Sequence, residues 1–575
     1  MKEPKWIGKP VPEKQSITNF QEILNINGVP FDETITTLLL QRNIDTYDKA
    51  KVFFKGNIAE LHDPFLMADM DKAVKRLSQQ IEANKNILIF GDYDVDGTTS
   101  VALVYLFLKN NFPELNPIYY IPDREAEGYG ISTKGIDFAK ENDCSLMIAL
   151  DCGIKAVDKV EYAKKNGVDV IICDHHTPGD KLPDAIAVLD PKRADCQYPY
   201  KELSGCGVGF KLLQAFSMAN DIPLENLFSL IDLLALSIAS DIVPITGENR
   251  ILCKAGIEKL STDPLPGIKA IMEQTSLTGK RLRVSDLVFK IGPRINASGR
   301  MVHGSQSVKL LIGEDIVQLD SEANAINDLN TKRKAVDTSI KNEVIEMVKQ
   351  IPDYEERKSI VLYKDNWHKG VLGIVASRIV DEFYKPTILL AESDGILVGS
   401  ARSVEGFNLY KAIDACKENL QNYGGHEFAA GLTLKLENFE NFRQQFETVV
   451  SHSILQEQTE PKLHYDLEIP LSKISWNFYR LLEKMRPYGP ENMTPVFVTK
   501  GLRDTGRSKV VGNNEHLQLV LTDGNSEVKA IAFNMADNFP LLKNNQVKIC
   551  YTINENNFRG TTTLQLVVKA IAEDS

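Results

Sequence analysis

The sequence predicts a multidomain α/β protein: a mostly parallel sheet domain, a second α/β domain joined to it by a long helix, and a small C-terminal β-barrel. Three observations predict this. Residues 85–244 alternate short apolar runs with helix-like stretches, the pattern of βα units. Residues 314–350 contain no Gly or Pro and are rich in Ala, Glu, Lys, Asn and Asp. After residue 462 come five short alternating strands separated by turn residues.

A chain of 575 residues is long enough for several domains, and a hydrophobic fraction of 43% supplies ordinary cores. The expected division is an N-terminal segment at 1–60, a first α/β domain at 61–312, the connecting helix at 313–350, a second α/β domain at 351–455 and the barrel at 456–575. In the first α/β domain, runs at 87–90, 145–150, 168–173 and 186–189 read as strands, and stretches at 98–109, 136–141 and 155–165 read as helices. Residues 314–350 carry a narrow apolar stripe without a sustained heptad, which suits a solvent-bridging connector. "SIVLY", "GVLGIVASRIVDEF", "PTILLA" and "GILVGSARS" then restart a strand–helix pattern that ends near residue 455. The last five strands, from "TPVFVTKGLRDTG" to "TTLQLVVKAI", suggest a barrel of the OB type, a fold that often holds single-stranded nucleic acid. A purely structural barrel is the alternative.

Composition narrows the function classes. No apolar run is long enough to span a membrane, and "MKEPKWIGKP" has no signal-peptide core. Eight scattered cysteines with no CxxC pair indicate neither a disulfide framework nor a zinc finger, so a reduced, cytoplasmic location is expected. A net charge of −12 counts against a protein that coats duplex DNA, but local fields matter more than the total. One local cluster is basic: residues 280–300 hold six Lys/Arg and one Asp.

The chemistry concentrates in "ILIFGDYDVDGTTS", residues 87–100. In an extended segment Asp92, Asp94 and Asp96 share one face, roughly 6–7 Å apart. At an effective dielectric near 20 each neighbouring pair repels by about 2–3 kcal/mol. A cation such as Mg2+, Mn2+ or Ca2+ offsets that repulsion; a solvated acidic turn is the bland alternative. Further acidic residues sit at strand ends: Asp151 after "SLMIAL" and Asp174 after "VDVIIC". Ligands of open parallel sheets bind at the strands' carboxyl ends. Asp174 opens "DHH", with His175 and His176, and the apolar helix in "LLALSIASDIVPI" leads to Asp241. A competing reading takes "DVDGT" as the start of a haloacid-dehalogenase-like phosphatase, with Asp94 as nucleophile and Asp96 as general acid. That reading has no role for Asp92 or for the histidine pair.

Together "DYDVDG", "ALDCGI", "CDHHTPG" and "SIASDIVP" resemble the DHH phosphoesterase superfamily. "EGYGIS", "RINASGRM", "GSARS", "GGHEFAAG" and "RPYGPEN" are further matches, and of these "GYG", "RINASGR" and "PYGPEN", with the terminal strands, resemble the single-strand-specific exonuclease branch; the resemblance runs from about residue 60 to the end. "GGHEFAAG" is similar to the DHH-associated second domain (DHHA1). One departure is that many DHH hydrolases have a His where the first motif starts, and this chain has Phe90 and Asp92 there.

The resemblance implies a two-metal phosphodiester hydrolase with two Mn2+ or Mg2+ ions, Mn2+ slightly favoured. Asp96, Asp151, His175 and Asp241 would hold one ion, and Asp92, Asp94 and a bridging Asp151 the other. Asp174 would orient a histidine, and His176 would touch the scissile phosphate. Arg124, Tyr129, Arg300, Ser400, Arg402 and His426 match substrate-contacting positions. On the barrel, Arg503, Arg507, Lys509 and Arg559, with Phe533 and Phe558, are candidate strand contacts, and the barrel is expected to add affinity rather than chemistry. The implied activity is 5′→3′ degradation of single-stranded DNA to 5′-mononucleotides in DNA repair and recombination. The implied partners are a single-strand-binding protein and a helicase, around a monomer. A DHH phosphodiesterase acting on short oligonucleotides or cyclic dinucleotides is the alternative, and a non-catalytic scaffold a second one.

Overall fold

The computed structural model describes residues 3–28, 31–543, 545–558 and 560–574. The chain forms two compact units, one of Ile7–Pro122, Glu127–Gly292 and His464–Ser575, the other of Met1–Trp6, Asp123–Ala126 and Pro293–Leu463.

In the first unit a five-stranded parallel sheet runs in the order Pro117–Tyr120, Ile87–Gly91, Leu146–Leu150, Asp169–Cys173, Ala187–Leu189. Its central strands, "ILIFG" and "LMIAL", are buried at every residue, as strands covered on both faces must be. The first strand turns at once into the helix Val95–Asn111, which starts three residues before the expected 98. Asp94 causes the early start: its side chain caps the helix by accepting from Gly97 N–H at 3.0 Å. The three aspartates therefore do not share an extended face, which corrects the expectation. Asp92 ends the strand, Asp94 is the cap and Asp96 lies in the first helical turn. Gly97 is required here, because a Cβ on it would lie 2.4 Å from Asp92 O.

The same unit contains the barrel. Strands Phe497–Asp504, Val547–Phe558, Thr561–Glu573, Glu527–Ala532 and His516–Thr522 pair in that order, and the last returns to the first through Arg503↔Thr522. The alternation of "HLQLVLT", buried at every second residue, produces the closed wall. The N-terminal segment is part of this body. Phe20, Leu24, Ile35, Leu38 and Leu39 share one apolar core with Phe497, Leu519, Tyr551 and Leu566 of the barrel and with Phe478 and Leu482 of the Trp476–Lys484 helix.

The second unit has the five-stranded sheet Asn422–Gly425, Ala429–Lys435, Ile396–Arg402, Thr387–Ser393, Ile360–Lys364, in which only the last pair is parallel. The helix Leu372–Phe383 makes the crossover between those two parallel strands. The long helix is one piece, Ile316–Lys349. It is not a bare solvent bridge: Ile340, Val344 and Val348 pack against Ile360, Leu372 and Ile379 of its own unit. Its buried stripe runs Leu319, Ala323, Ile326, Asn330, Arg333, Asp337, Ile340, Val344, Val348. The three polar members are joined: Arg333 donates to Asp337 (2.9 Å) and Asn330 (2.6 Å), and Arg378 to Asp337 (2.6 Å).

Candidate active site

The parallel sheet delivers one aspartate from each of four strand ends: Asp92, Asp151, Asp174 and Asp190. Asp241 comes from the end of the helix Ile231–Ser240. His175 is the point on which they converge. Its Nε2 lies 3.2 Å from Asp151 Oδ1, 3.4 Å from Asp241 Oδ2 and 3.8 Å from Asp96 Oδ2. Adjacent ligands of an octahedral ion bound at about 2.1 Å are about 3 Å apart, so this spacing suits a divalent cation. The hydrogen bonding agrees: Asp151 Oδ1, Asp241 Oδ2 and both ring nitrogens of His175 are buried and accept or donate no hydrogen bond. Orphaned buried atoms of this kind are rare and costly unless a ligand satisfies them.

Asp96 is held differently. Its carboxylate accepts from Gly205 N–H (2.7 Å), Cys206 N–H (2.8 Å) and the Ser237 hydroxyl (2.7 Å), which fixes the edge it turns toward His175. Gly205 clears the space: a Cβ on it would fall 2.6 Å from Asp151 Oδ1. Asp151 itself has a left-handed backbone, φ 57°, an uncommon state for a non-glycine residue. Burial, then the charges of Asp96, Asp94, Asp241 and Asp92, push the Asp151 carboxyl well above the usual range. Burial, then Asp96 and Asp94, do the same to Asp241. Burial lowers His175, which keeps the imidazole neutral and able to ligate. Oxygen and imidazole donors with surplus negative charge fit Mn2+ or Mg2+. Donor atoms of Asp96, His175 and Asp241 lie within 4.8 Å of one another, as do those of Asp151, His175 and His176. Asp92, Asp94 and Asp151, the implied ligands of a second ion, form no third trio at that spacing, although both charges reach Asp151.

Asp174 is spent on its neighbours. Its Oδ1 faces His176 Nδ1 at 2.7 Å and accepts from His175 N–H (2.8 Å), and its Oδ2 accepts from Ile154 N–H (2.8 Å). Burial raises this carboxyl, but the hydrogen bond and charge of His176 outweigh burial and bring it to about 2. Burial lowers His176, and Asp174 outweighs that, so the net shift is upward. With Nδ1 turned to Asp174, Nε2 of the half-exposed His176 ring stands 3.4 Å from the Tyr129 hydroxyl. Tyr129 donates to Asp151 O at 2.8 Å and stands 3.2 Å from His176 Nδ1, with its ring face open to solvent. Asp190 was not singled out in the sequence. It is fully buried, its Oδ1 accepts from Lys192 N–H at 2.7 Å and its Oδ2 has no hydrogen bond. Burial pushes it up to about 7. The signal was present: "AVLD" ends a strand on Asp just as the other three do.

In the other unit, Ser400 and Arg402 lie two apart on one strand, on the same face. Both side chains reach Gly373, in the first turn of Leu372–Phe383. A Cβ there would lie 2.6 Å from Arg402 Nη2 and 3.3 Å from Ser400 Oγ. The cap residue Val371 offers that helix end no side-chain hydrogen bond. Arg300 donates to Gly370 O at 3.0 Å, just before the same end. Burial, then the charge of Arg124, lower the Arg402 guanidinium. Three of the sequence-derived positions, Ser400, Arg402 and Arg300, thus gather at one helix N-terminus, where donors and dipole favour an anion, and the charge of Arg124 reaches Arg402. His426 stands exposed between strands Asn422–Gly425 and Ala429–Lys435; its N–H donates to Ala429 O at 2.9 Å. On the barrel, Phe533 and Phe558 are exposed and Arg507 pairs with Glu527, while Arg559 lies outside the described residues.

Residues 86–238 match the DHH family N-terminal domain, 356–452 the DHHA1 domain and 465–570 the RecJ OB domain. The single-stranded-DNA-specific exonuclease RecJ of Bacillus subtilis is 34% identical over 98% of this chain and 70% of its own length. That of Escherichia coli is 32% identical over 88% of this chain and 90% of its own. The chain belongs to the RecJ family. The haloacid-dehalogenase reading is thereby set aside, and the helix cap that occupies Asp94 gives that residue a structural task. RecJ of Thermus thermophilus, solved with Mn2+, has the same fold, with a TM-score of 0.84 at 24% identity over 99% of this chain and 79% of its own. An exonuclease RecJ bound to manganese is 28% identical, with a TM-score of 0.59 over 68% of this chain and 98% of its own.

Proposed function

We propose that this protein degrades single-stranded DNA from the 5′ end, releasing 5′-mononucleotides, with two divalent cations, Mn2+ or Mg2+. The observation that carries the reading is the convergence on His175 of three carboxylates, of which Asp151 Oδ1 and Asp241 Oδ2, like both nitrogens of the His175 ring, are buried without a hydrogen bond. The curated RecJ relatives, named for single-stranded DNA, support the substrate class.

Asp96, Asp151, His175 and Asp241 would hold one ion, and Asp92 and Asp94 with Asp151 the other. When bound, the cations supply Lewis-acid stabilisation of negative charge on the reacting phosphoryl group. The chain's own residues orient and protonate. Asp174 holds His176 by Nδ1, which leaves Nε2 to donate to a phosphate oxygen when protonated. Tyr129 anchors the Asp151 backbone and offers its open ring to a base. Ser400, Arg402, Arg300 and Arg124 give a terminal phosphate a hydroxyl and guanidinium forks at an uncapped helix end, a donor set matched to a dianion. That match supports attack from a phosphate-bearing end. His426 is proposed as a further phosphate donor.

An enzyme confined to single strands needs its substrate unwound, so a helicase and a single-strand-binding protein belong to the same proposal. Eight buried, unpaired cysteines support a reducing cytoplasm, and no helix is long and apolar enough to cross a membrane among the described residues. The test is a strand labelled differently at its two ends, incubated with Mn2+ beside a blunt duplex and a cyclic dinucleotide. Early release of the 5′ label as mononucleotide, with the duplex intact, is expected. Earlier loss of the 3′ label, or preference for the dinucleotide, would overturn the reading.

A further inference from the structure

A groove in the first unit shares no residue with the site above. It has a volume of about 930 Å3 and lies where the Tyr47–Lys55 helix, the residues 281–284 and the end of the Trp476–Lys484 helix meet. Three segments far apart in sequence each bring exposed cations to its wall: Lys51 and Lys55, then Arg281, then Lys484. None of the four makes a hydrogen bond or ion pair with a described residue. The wall also carries Glu258 and Glu483, and Glu483 is neutralised by Arg486 at 2.7 Å. Tyr47 and Phe54, both half-buried, also line the groove. On a chain of net charge −12, such an excess of positive charge is local.

We propose that this groove is a second binding site for the single strand, outside the catalytic centre, with phosphates on the cations and bases against the aromatic rings. Unpaired cations beside aromatic rings suit a strand whose charge repeats and whose bases each present a flat face. The basic cluster at 280–300 then has a divided use: its first residues serve this groove, and Arg300 serves the helix terminus. The inference rests on the proposed single-strand activity.

The experiment uses the full chain in EDTA, where the strand is not cut, and follows binding of a fluorescein-labelled oligothymidylate of thirty residues by anisotropy across salt concentrations. Each single-strand phosphate contact contributes about 0.7 to the slope of log K against log salt. The double variant Lys55→Gln/Lys484→Gln is expected to flatten the slope by about 1.4 and weaken binding roughly 10- to 30-fold at 0.1 M salt. Arg281→Gln, on the third segment, is expected to flatten it by about 0.7 with unchanged melting. An unchanged slope in both overturns the groove as a strand site. So does the loss of binding to an acidic, aromatic-containing peptide with DNA binding unaltered, which would assign the groove to protein. If the unsubstituted chain binds no strand, the failure lies in the activity reading itself, and the groove proposal falls with it.

Discussion

The end of the parallel sheet and the Arg402 end of the second sheet are charge clusters of opposite sign. The first gathers Asp96, Asp151 and Asp241 around a neutral His175; the second gathers Arg300, Arg402 and Ser400 at a helix N-terminus, with the charge of Arg124 reaching Arg402. A third buried group shows what structure alone demands. Lys211 and Glu248 meet at 2.7 Å, and Glu248 also accepts from Tyr198 and His62, so every charge there has its partner inside the chain. Where the fold balances its charges, they hold the fold. Where one sign predominates, the proposed function assigns the cluster a ligand of the other sign, a cation in one case and a phosphate in the other.

The largest expected effect tests the acidic cluster. Asp151→Asn should lower the rate of strand cleavage at saturating Mn2+ by at least about a thousandfold. Without metal its melting temperature should not fall, because a like-charge repulsion is relieved; near-normal turnover would break the contrast. Asp190→Asn asks whether a fourth strand-end carboxyl belongs to the same cluster. Burial lifts its folded pKa to about 7 from the ordinary 3.8, so its ionisation costs stability as pH rises between those values, with the full loss above 7. The variant should therefore match the parent near pH 4 and exceed it by about 2–4 kcal/mol at pH 8, read by denaturant melts. Equal curves at both pH values would place the charge elsewhere.

Arg402→Ala tests the basic cluster: preference for a 5′-phosphate over a 5′-hydroxyl end should fall by about 1.5–3 kcal/mol, some 10- to 150-fold. Competition between the two ends in one reaction measures it, and an unchanged ratio would remove the anion reading. The smallest effect belongs to Gly373→Ala, whose Cβ displaces Arg402 Nη2 and not backbone. A loss of about 1 kcal/mol in the same preference is expected, with little change in melting; no loss would mean the guanidinium relocates without consequence.

The acidic cluster was largely legible because its residues hang from short local motifs at strand ends, where a buried run and one acidic residue suffice as a signal. What was misread was also local: Asp94 as a helix cap looks the same in sequence as Asp94 in an extended acidic run. The Ile316–Lys349 stripe was seen but read as too narrow to pack, because Asn330, Arg333 and Asp337 occupy its middle, and polar residues break an apolar count even when they are buried and mutually bonded. Asp190 escaped notice for want of a motif around it. The gathering of Arg300 and Arg402 at Gly370 and Gly373 is a matter of tertiary packing, and nothing in the spacing of those residues announces it.

The core shared by the N-terminal helices and the barrel has a consequence for synthesis on the ribosome. Phe20, Leu24 and Leu38 emerge first, but the surfaces that cover them, from Ile469 to Ile571, are made last. At about 5–20 residues per second, the early helices wait on the order of 20–90 s for those surfaces. Throughout that interval a nascent chain carries an uncovered apolar face, the kind of surface that chaperones bind. Removal of the barrel would also make that exposure permanent, so the expected separation of strand affinity from chemistry is better sought by point substitutions on the barrel's outer face than by deletion.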